Sequence, residues 1–372
     1  MHLKQEPVLI NPAGRRVLVD VLIAAGGTGG HIYPALAAAR ELSSRGMDVR
    51  FAGMRDRMES RIVPEAGFEM EYIHSSPVTG RGIPGAIAGL ASMSYAVLKA
   101  VLLLRKMRPR VVLGAGGYVS APVLAAAGVL SIPCALLEQN ARPGAANRLM
   151  GKTVDRALVS YEETREHFPR EKVIVTGNPV RKSIVEAASR GRKSAQGSVR
   201  ILVLGGSQGA ASINAAVAPA LAASGLADGV HVLHQAGEGK KLDTEKKYAK
   251  TGVNAQVVEF IDDMDRAYME SDMIVCRSGA TTLAEISVAG LPAVLVPYPH
   301  HADRQQERNA GVFVKAGAAV ICSEPLEAEE MGKILKNIIT DDSVRKSMSL
   351  KMLSLAVPDA AARVADILEE LA

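Results

Sequence analysis

The chain has 372 residues, 48% of them hydrophobic and 22% charged, which is enough for two ordinary domains with separate cores. The absence of Trp and an aromatic content of 3% exclude base-stacking platforms for single-stranded nucleic acid, so no nucleic-acid partner is expected. Cys134, Cys276 and Cys322 lack any CxxC or Cys/His spacing, which excludes a zinc site or a disulfide frame; the net charge of +5 calls for a partner of opposite sign.

Arg15-Arg16 followed by the apolar run 17–25 has the outline of a secretory leader, but Asp20 interrupts the run. The run leads into Gly26-Gly-Thr-Gly-Gly30 and an Ala-rich helical pattern from about Ile32 to Arg45, so residues 16–24 read as a buried strand entering a glycine loop. Such a loop lets backbone N–H groups approach an anion, and the helix dipole favours negative charge there. The spacing is not that of a dinucleotide site: the last glycine of GxGxxG would be Ile32. The next strand, 48–52, runs into Gly53-Met54-Arg55 without the acid that holds a ribose.

Residues 83–104 are rich in Ile, Leu, Ala and Val and end in Arg105-Lys-Met-Arg-Pro-Arg110. From Arg81 to Lys152 there are nine basic residues against one acid, Glu138. An apolar helix with a basic border suits an anionic bilayer surface, and it equally suits a buried crossover helix with a solvated basic end. A third glycine cluster, Gly114-Ala-Gly-Gly-Tyr-Val-Ser120, follows a strand at 110–113 and opens another helix. The apolar stretch 121–137 is broken by Pro133 and reads as a helix followed by a strand, not as a membrane span.

A second unit opens like the first. After a polar, basic insertion at 189–198, a strand at 200–204 leads into Gly205-Gly-Ser-Gln-Gly209 and a helix through Asn214 to about Ala223. Two doubly wound α/β units in tandem are expected. Gly205 to Gly209 also satisfies GxSxG, with His231, His234, His300 or His301 as a partner for Ser207, but a nucleophile elbow does not sit on a domain's opening strand. Asp263-Met-Asp265 spells a metal-binding DxD, yet Asp262-Asp263 before a helical pattern suits N-capping. At the end of the chain, Pro358-Asp359 starts a helix whose Val364, Ile367, Leu368 and Leu371 share one apolar face.

Eight blocks in order carry a resemblance: Gly26-Gly-Thr-Gly-Gly-His31, Gly116-Gly-Tyr-Val-Ser120, Glu138-Gln-Asn140, Gly177-Asn-Pro-Val-Arg181, Gly205-Gly-Ser-Gln-Gly-Ala210, Phe260-Ile-Asp-Asp-Met264, Arg277-Ser-Gly-Ala280 and Asp303-Arg-Gln-Gln306. The chain resembles the MurG family of peptidoglycan glycosyltransferases from about residue 16 to the final helix. The resemblance implies a GT-B fold, two Rossmann-like domains facing each other across a cleft. Residues 1–180, with a helix at 359–372 packing back, would bind acceptor and membrane; residues 181–358 would bind UDP-N-acetylglucosamine (UDP-GlcNAc). It implies inverting transfer of GlcNAc to the C4 hydroxyl of the N-acetylmuramic acid (MurNAc) of lipid I, giving lipid II. No cofactor and no essential metal would be used. Other implications are a role in cell-wall biogenesis, cell shape and division, a peripheral place on the cytoplasmic face of the cell membrane, and a cell-wall synthesis complex as partner. The alternative is another GT-B UDP-sugar enzyme, such as a lipid glycosyltransferase or a UDP-sugar 2-epimerase.

Residue by residue, the resemblance gives Ile261 a backbone contact to uracil and Glu285 the ribose hydroxyls, whose cis-diol suits a carboxylate. Ser207 and its loop would meet the diphosphate, with Arg181 as a charge partner. Ala280, Thr281 and Thr282 would offer it a helix N-terminus, and Gln305 and Gln306 would read the sugar hydroxyls. Thr28, Gly29 and Asn140 would reach the donor from the first domain. Gly27, Gly30, Gly116 and Gly117 would form acceptor-diphosphate loops. His31 would serve as general base or acceptor-diphosphate contact, with Tyr118 beside it in a catalytic role. Where the family pattern has a histidine before Glu138-Gln-Asn140, this chain has Leu137; its membrane-facing stretch is also sparse in aromatic residues, with only Tyr95 between Gly82 and Met107.

Overall fold

The computed structural model describes residues 19–73, 82–192, 197–206, 208–300 and 303–372. It divides into two compact units, Met1–Pro179 with Asp359–Ala372, and Val180–Pro358. In the first unit the chain runs through β1 (Val19–Ala24), α1 (Gly29–Ser44), β2 (Val49–Gly53), α2 (Glu59–Glu65), β3 (Met70–Tyr72), α3 (Gly82–Met107) and β4 (Pro109–Gly114). It continues with α4 (Ser120–Val129), β5 (Cys134–Glu138), α5 (Ala145–Met150), β6 (Arg156–Val159) and β7 (Val173–Val175).

These seven strands form one parallel sheet in the order β3-β2-β1-β4-β5-β6-β7. Strand side chains alternate between faces, and in β1 both faces are apolar. Val21 and Ile23 belong to the core layer that includes α1 residues, while Leu22 and Ala24 belong to the layer with α3 and α4 residues. Strand order reverses between β1 and β4, whose register pairs Leu22 with Val112 and Ile23 with Leu113. Loops leaving the carboxyl ends of neighbouring strands at such a reversal diverge and leave a crevice, the usual ligand position in open α/β sheets. The glycine loops at 25–28 and 115–119 leave from these two strands.

Helix α1 begins at Gly29, earlier than the Ile32 expected, because Thr28 turns extended and its carbonyl accepts from His31 and Ile32. In α3 both sequence readings have a physical counterpart. Ala96, Ala100, Leu104 and Met107 are buried, the last three in the core layer beneath the sheet, whereas Tyr95, Leu98 and Leu102 are each about half exposed. Among the described residues no helix is long and apolar enough to cross a membrane.

The second unit contains α6 (Lys182–Ser189), β8 (Val199–Leu204), α7 (Ala211–Ala223), β9 (Val230–Gln235), α8 (Lys241–Thr251), β10 (Ala255–Val258), α9 (Met264–Glu270) and β11 (Met273–Cys276). After these come α10 (Ala280–Ala289), β12 (Ala293–Leu295), α11 (Gln305–Lys315), β13 (Ala319–Ile321), α12 (Ala328–Thr340) and α13 (Asp342–Ser354). Its six parallel strands run β10-β9-β8-β11-β12-β13, so the reversal falls between β8 and β11. The Asp263 carboxylate caps α9 by accepting from the Arg266 N–H, which accounts for the second acid of the Asp262-Asp263 pair.

The last helix, α14 (Ala360–Leu371), returns to the first unit and packs on α1. Val364 and Leu368 are fully buried in the α1 layer, with Leu371 packed at its edge. Arg45, just past α1, reaches Asp366 at 2.7 Å and Glu369 at 2.9 Å, but both acids are well exposed. Apolar burial therefore outweighs the ion pairs. Leu368→Ala should cost about 2–5 kcal/mol, and Arg45→Ala less than about 1 kcal/mol, compared by urea denaturation.

Candidate active site

In the first unit the two glycine loops meet. Gly116 has φ of +105°, and a Cβ there would lie 2.4 Å from His31 Nδ1. A Cβ at Gly117, φ +82°, would lie 2.2 Å from the Gly26 carbonyl oxygen. Both positions require glycine twice over, for conformation and for contact. His31 is thereby held in the first turn of α1 against the loop after β4. Its Nδ1 lies 3.3 Å from Gln139 Oε1. Burial lowers the His31 pKa below the ordinary 6.5, with bonding to Gln139 and the Ala115 backbone opposing, so the ring is neutral at neutral pH.

A carboxylate that sequence reasoning missed lies beneath the first loop. Glu59 is fully buried; it accepts from Gly27 N–H at 3.0 Å and from Met54 N–H at 3.1 Å. The Gly27 N–H is thus committed inside the protein, and what this glycine contributes is its φ of +90°. Thr28 is exposed at the N-cap of α1, before Gly29 and Gly30. Tyr118 is 53% exposed in the β4–α4 loop, and Ser120 Oγ is buried in the first turn of α4 with no hydrogen-bond partner among the described residues. The one cue to Glu59 would have been an acid opening a helix soon after the second strand, too weak to use.

The Glu138-Gln-Asn140 block leaves β5 on the far side of β4. Glu138 is buried and accepts from the Asn140 backbone and side chain, the Gly144 N–H and the Asn147 amide. Burial raises its pKa and these donors oppose the rise. Leu137 is a fully buried core residue, so the position where the family pattern has histidine does no chemistry here.

In the second unit, Glu285 on α10 is buried. Its Oε1 accepts from Arg181 Nε and Nη2, each at 2.9 Å, and its Oε2 from the Tyr268 hydroxyl at 2.9 Å. The expected ribose ligand is therefore held by two side chains, and burial keeps the Tyr268 phenol protonated as a donor. Ile261 is also buried, and its N–H donates to Gln235 Oε1 at 3.3 Å. Gln235 Nε2 in turn donates to the Gly206 carbonyl, tying the glycine loop to the 260–261 segment. Ser207 lies outside the described residues, as does His301.

Ala280, Thr281 and Thr282 form the first turn of α10, straight after β11. Gln305 and Gln306 open α11, where Ser278 Oγ donates to the Gln306 carbonyl and the Tyr298 N–H donates to Gln306 Oε1. Of the histidines considered as hydrolase partners, His234 is fully buried between Tyr248 and Asn214, with its pKa pushed down to about 4 by burial. Among the described residues no three His, Cys, Asp or Glu side chains are grouped to hold a metal ion.

Two parallel doubly wound sheets, each with loops of the resembling blocks at its reversal, define the GT-B class. A model of the glycosyltransferase family 28 N-terminal domain matches residues 21–159, and one of the family's C-terminal domain matches residues 200–366. A protein of Anaeromyxobacter dehalogenans is 41% identical over 94% of this chain and 92% of its own length. One of Geobacter sulfurreducens is 40% identical over 94% of this chain and 97% of its own. Both are named UDP-N-acetylglucosamine–N-acetylmuramyl-(pentapeptide) pyrophosphoryl-undecaprenol N-acetylglucosamine transferase. The crystal structure of Acinetobacter baumannii MurG superposes with a TM-score of 0.79 at 29% identity, over 95% of this chain and 99% of that one. A UDP-N-acetylglucosamine 2-epimerase structure, TM-score 0.67 at 16% identity, shares the fold alone. The chain belongs to glycosyltransferase family 28, in its MurG group.

Gly116→Ala should abolish most activity, because the new methyl meets the His31 ring and the left-handed backbone disfavours it. Steady-state kinetics with the folded variant check this, and a rate within twofold of the parent would contradict the close packing.

Proposed function

We infer that this chain is the inverting glycosyltransferase that moves GlcNAc from UDP-GlcNAc to the C4 hydroxyl of the MurNAc in lipid I, giving lipid II for peptidoglycan synthesis. The observation that carries the mechanistic reading is the neutral, half-buried His31 at the strand reversal of the first unit, locked against Gly116.

In this reading the first unit, with α14, binds the acceptor. Gly30, Gly116 and Gly117, with the orphaned Ser120 hydroxyl and the amino end of α4, form an environment for the lipid diphosphate. His31 takes the proton from the C4 hydroxyl as the acceptor oxygen bonds to C1 of GlcNAc; the C1–phosphate bond breaks and UDP departs with the electron pair. Tyr118 is placed beside the same loop as an acceptor contact.

The second unit binds the donor. Glu285, oriented by Arg181 and Tyr268, retains acceptor capacity for the ribose hydroxyls. The Ile261 backbone meets uracil, the 205–209 loop and the first turn of α10 meet the diphosphate, and Gln305 with Gln306 reads the sugar. Thr28, Gly29 and Asn140 are the first-unit residues assigned to the donor. The side-chain amide of Asn140 donates to Glu138 Oε1 at 3.0 Å, which fixes its orientation in the loop after β5.

The exposed face of α3 supports peripheral association with an anionic membrane. Leu98 and Leu102 are flanked by Lys99, Arg105 and Lys106, all exposed, an apolar stripe with a cationic border.

The direct test is transfer of labelled GlcNAc from UDP-GlcNAc to a short-chain lipid I analogue with EDTA present. Lipid II product is expected, and UDP binding without transfer would refute the acceptor. Glu285→Ala should raise the donor KM at least tenfold; unchanged kinetics would remove Glu285 from the donor site. Leu98→Asp with Leu102→Asp should weaken sedimentation with phosphatidylglycerol vesicles while sparing turnover of a soluble acceptor, and unaltered sedimentation would move the membrane surface elsewhere.

A further inference from the structure

Gln139 stands between two groups that determine how its amide must be oriented. Its Nε2 lies 2.9 Å from the Ala115 carbonyl oxygen. A carbonyl only accepts, so this end of the amide is the NH2 group. Oε1 is therefore the end that faces His31 Nδ1 at 3.3 Å. An amide oxygen also only accepts. Facing that acceptor, Nδ1 has to carry the proton, and Nε2 keeps its lone pair. Nε2 has no hydrogen bond to a described residue.

Gln139 itself cannot turn. It is 1% exposed and comes directly after Glu138, whose carboxylate gathers the N–H groups of the next turn while its carbonyl accepts from the Ser160 hydroxyl at 3.0 Å.

We propose that Gln139 is a positioning residue that holds His31 in its Nδ1–H tautomer, leaving Nε2 as the atom that receives a proton. The proposal rests on the reading of His31 as general base, and gives that reading an atom. A neutral amide suits the task because it orients the ring while stabilising the imidazolium less than a carboxylate would. The arrangement also disfavours a role for His31 as a phosphate ligand, since a lone pair on Nε2 repels an anion.

The test is long-range 1H–15N correlation spectroscopy on the full chain labelled with 15N-histidine at neutral pH, the His31 signals being assigned by their loss in His31→Gln. The parent should show the Nδ1–H pattern, and an Nε2–H pattern would overturn the proposal. Gln139→Leu should lose the single-tautomer pattern and lower kcat by about 10- to 100-fold, part of what a general base contributes, with UDP affinity within twofold. A Gln139→Leu variant that keeps both the pattern and the rate would also overturn it. Because the parent pattern is read without Gln139→Leu, a Gln139→Leu chain that fails to fold leaves the proposal open to refutation. Should His31→Gln turn over normally while the parent shows Nδ1–H, the base reading fails and the tautomer assignment stands.

Discussion

A side-chain carbon at Gly117 would lie 2.2 Å from the Gly26 carbonyl oxygen, and one at Gly116 would lie 2.4 Å from His31 Nδ1. This contact between two backbone loops is the constraint on which the first unit's chemistry rests. It is available because parallel strands β1 and β4 are neighbours at the sheet reversal, so their outgoing loops start side by side. Removing both side chains lets the loops close until a histidine on one packs against backbone on the other. The ring loses solvent and stays neutral, and Gln139 from the next strand reaches its Nδ1. Fold, burial and protonation state are thus consequences of one packing arrangement.

The second unit repeats the architecture with a different content. Its reversal, between β8 and β11, also pairs a glycine loop with a helix start, but the buried charge there is a carboxylate, Glu285, held by Arg181 and Tyr268. A buried carboxylate needs such partners, because removing one of them typically costs about 3–5 kcal/mol. The same partners fix its position, which is what a ligand to a diol requires. Gln235 does comparable work for the backbone by tying the Gly206 carbonyl to the Ile261 N–H.

The doubly wound organisation was legible because its signals are local. Strand, glycine loop and helix succeed one another within about twenty residues, and each glycine falls where the chain must turn. The α14 face was legible from helical spacing alone. Partners distant in sequence could not be read. Glu59 beneath the first loop and Tyr268 against Glu285 have no local cue strong enough to use, since their contacts exist only once the sheets are assembled. The spacing of 83–104 could not separate a buried crossover from a surface helix, because α3 carries an apolar row on each side. Gln139 was visible within its block, but its orienting role depends on the Ala115 carbonyl, which no sequence pattern announces.

The central claim is that a neutral His31 removes the acceptor proton, and the dependence of kcat on pH at saturating substrates tests it most directly. Lowered by burial, His31 should stay neutral below the ordinary histidine value of 6.5, so the rate should hold to that point and fall only on further acidification. In His31→Gln the rate should be lower by two orders of magnitude or more and the acid limb should vanish. An acid limb that persists unchanged in His31→Gln would contradict the account and give the base to another group.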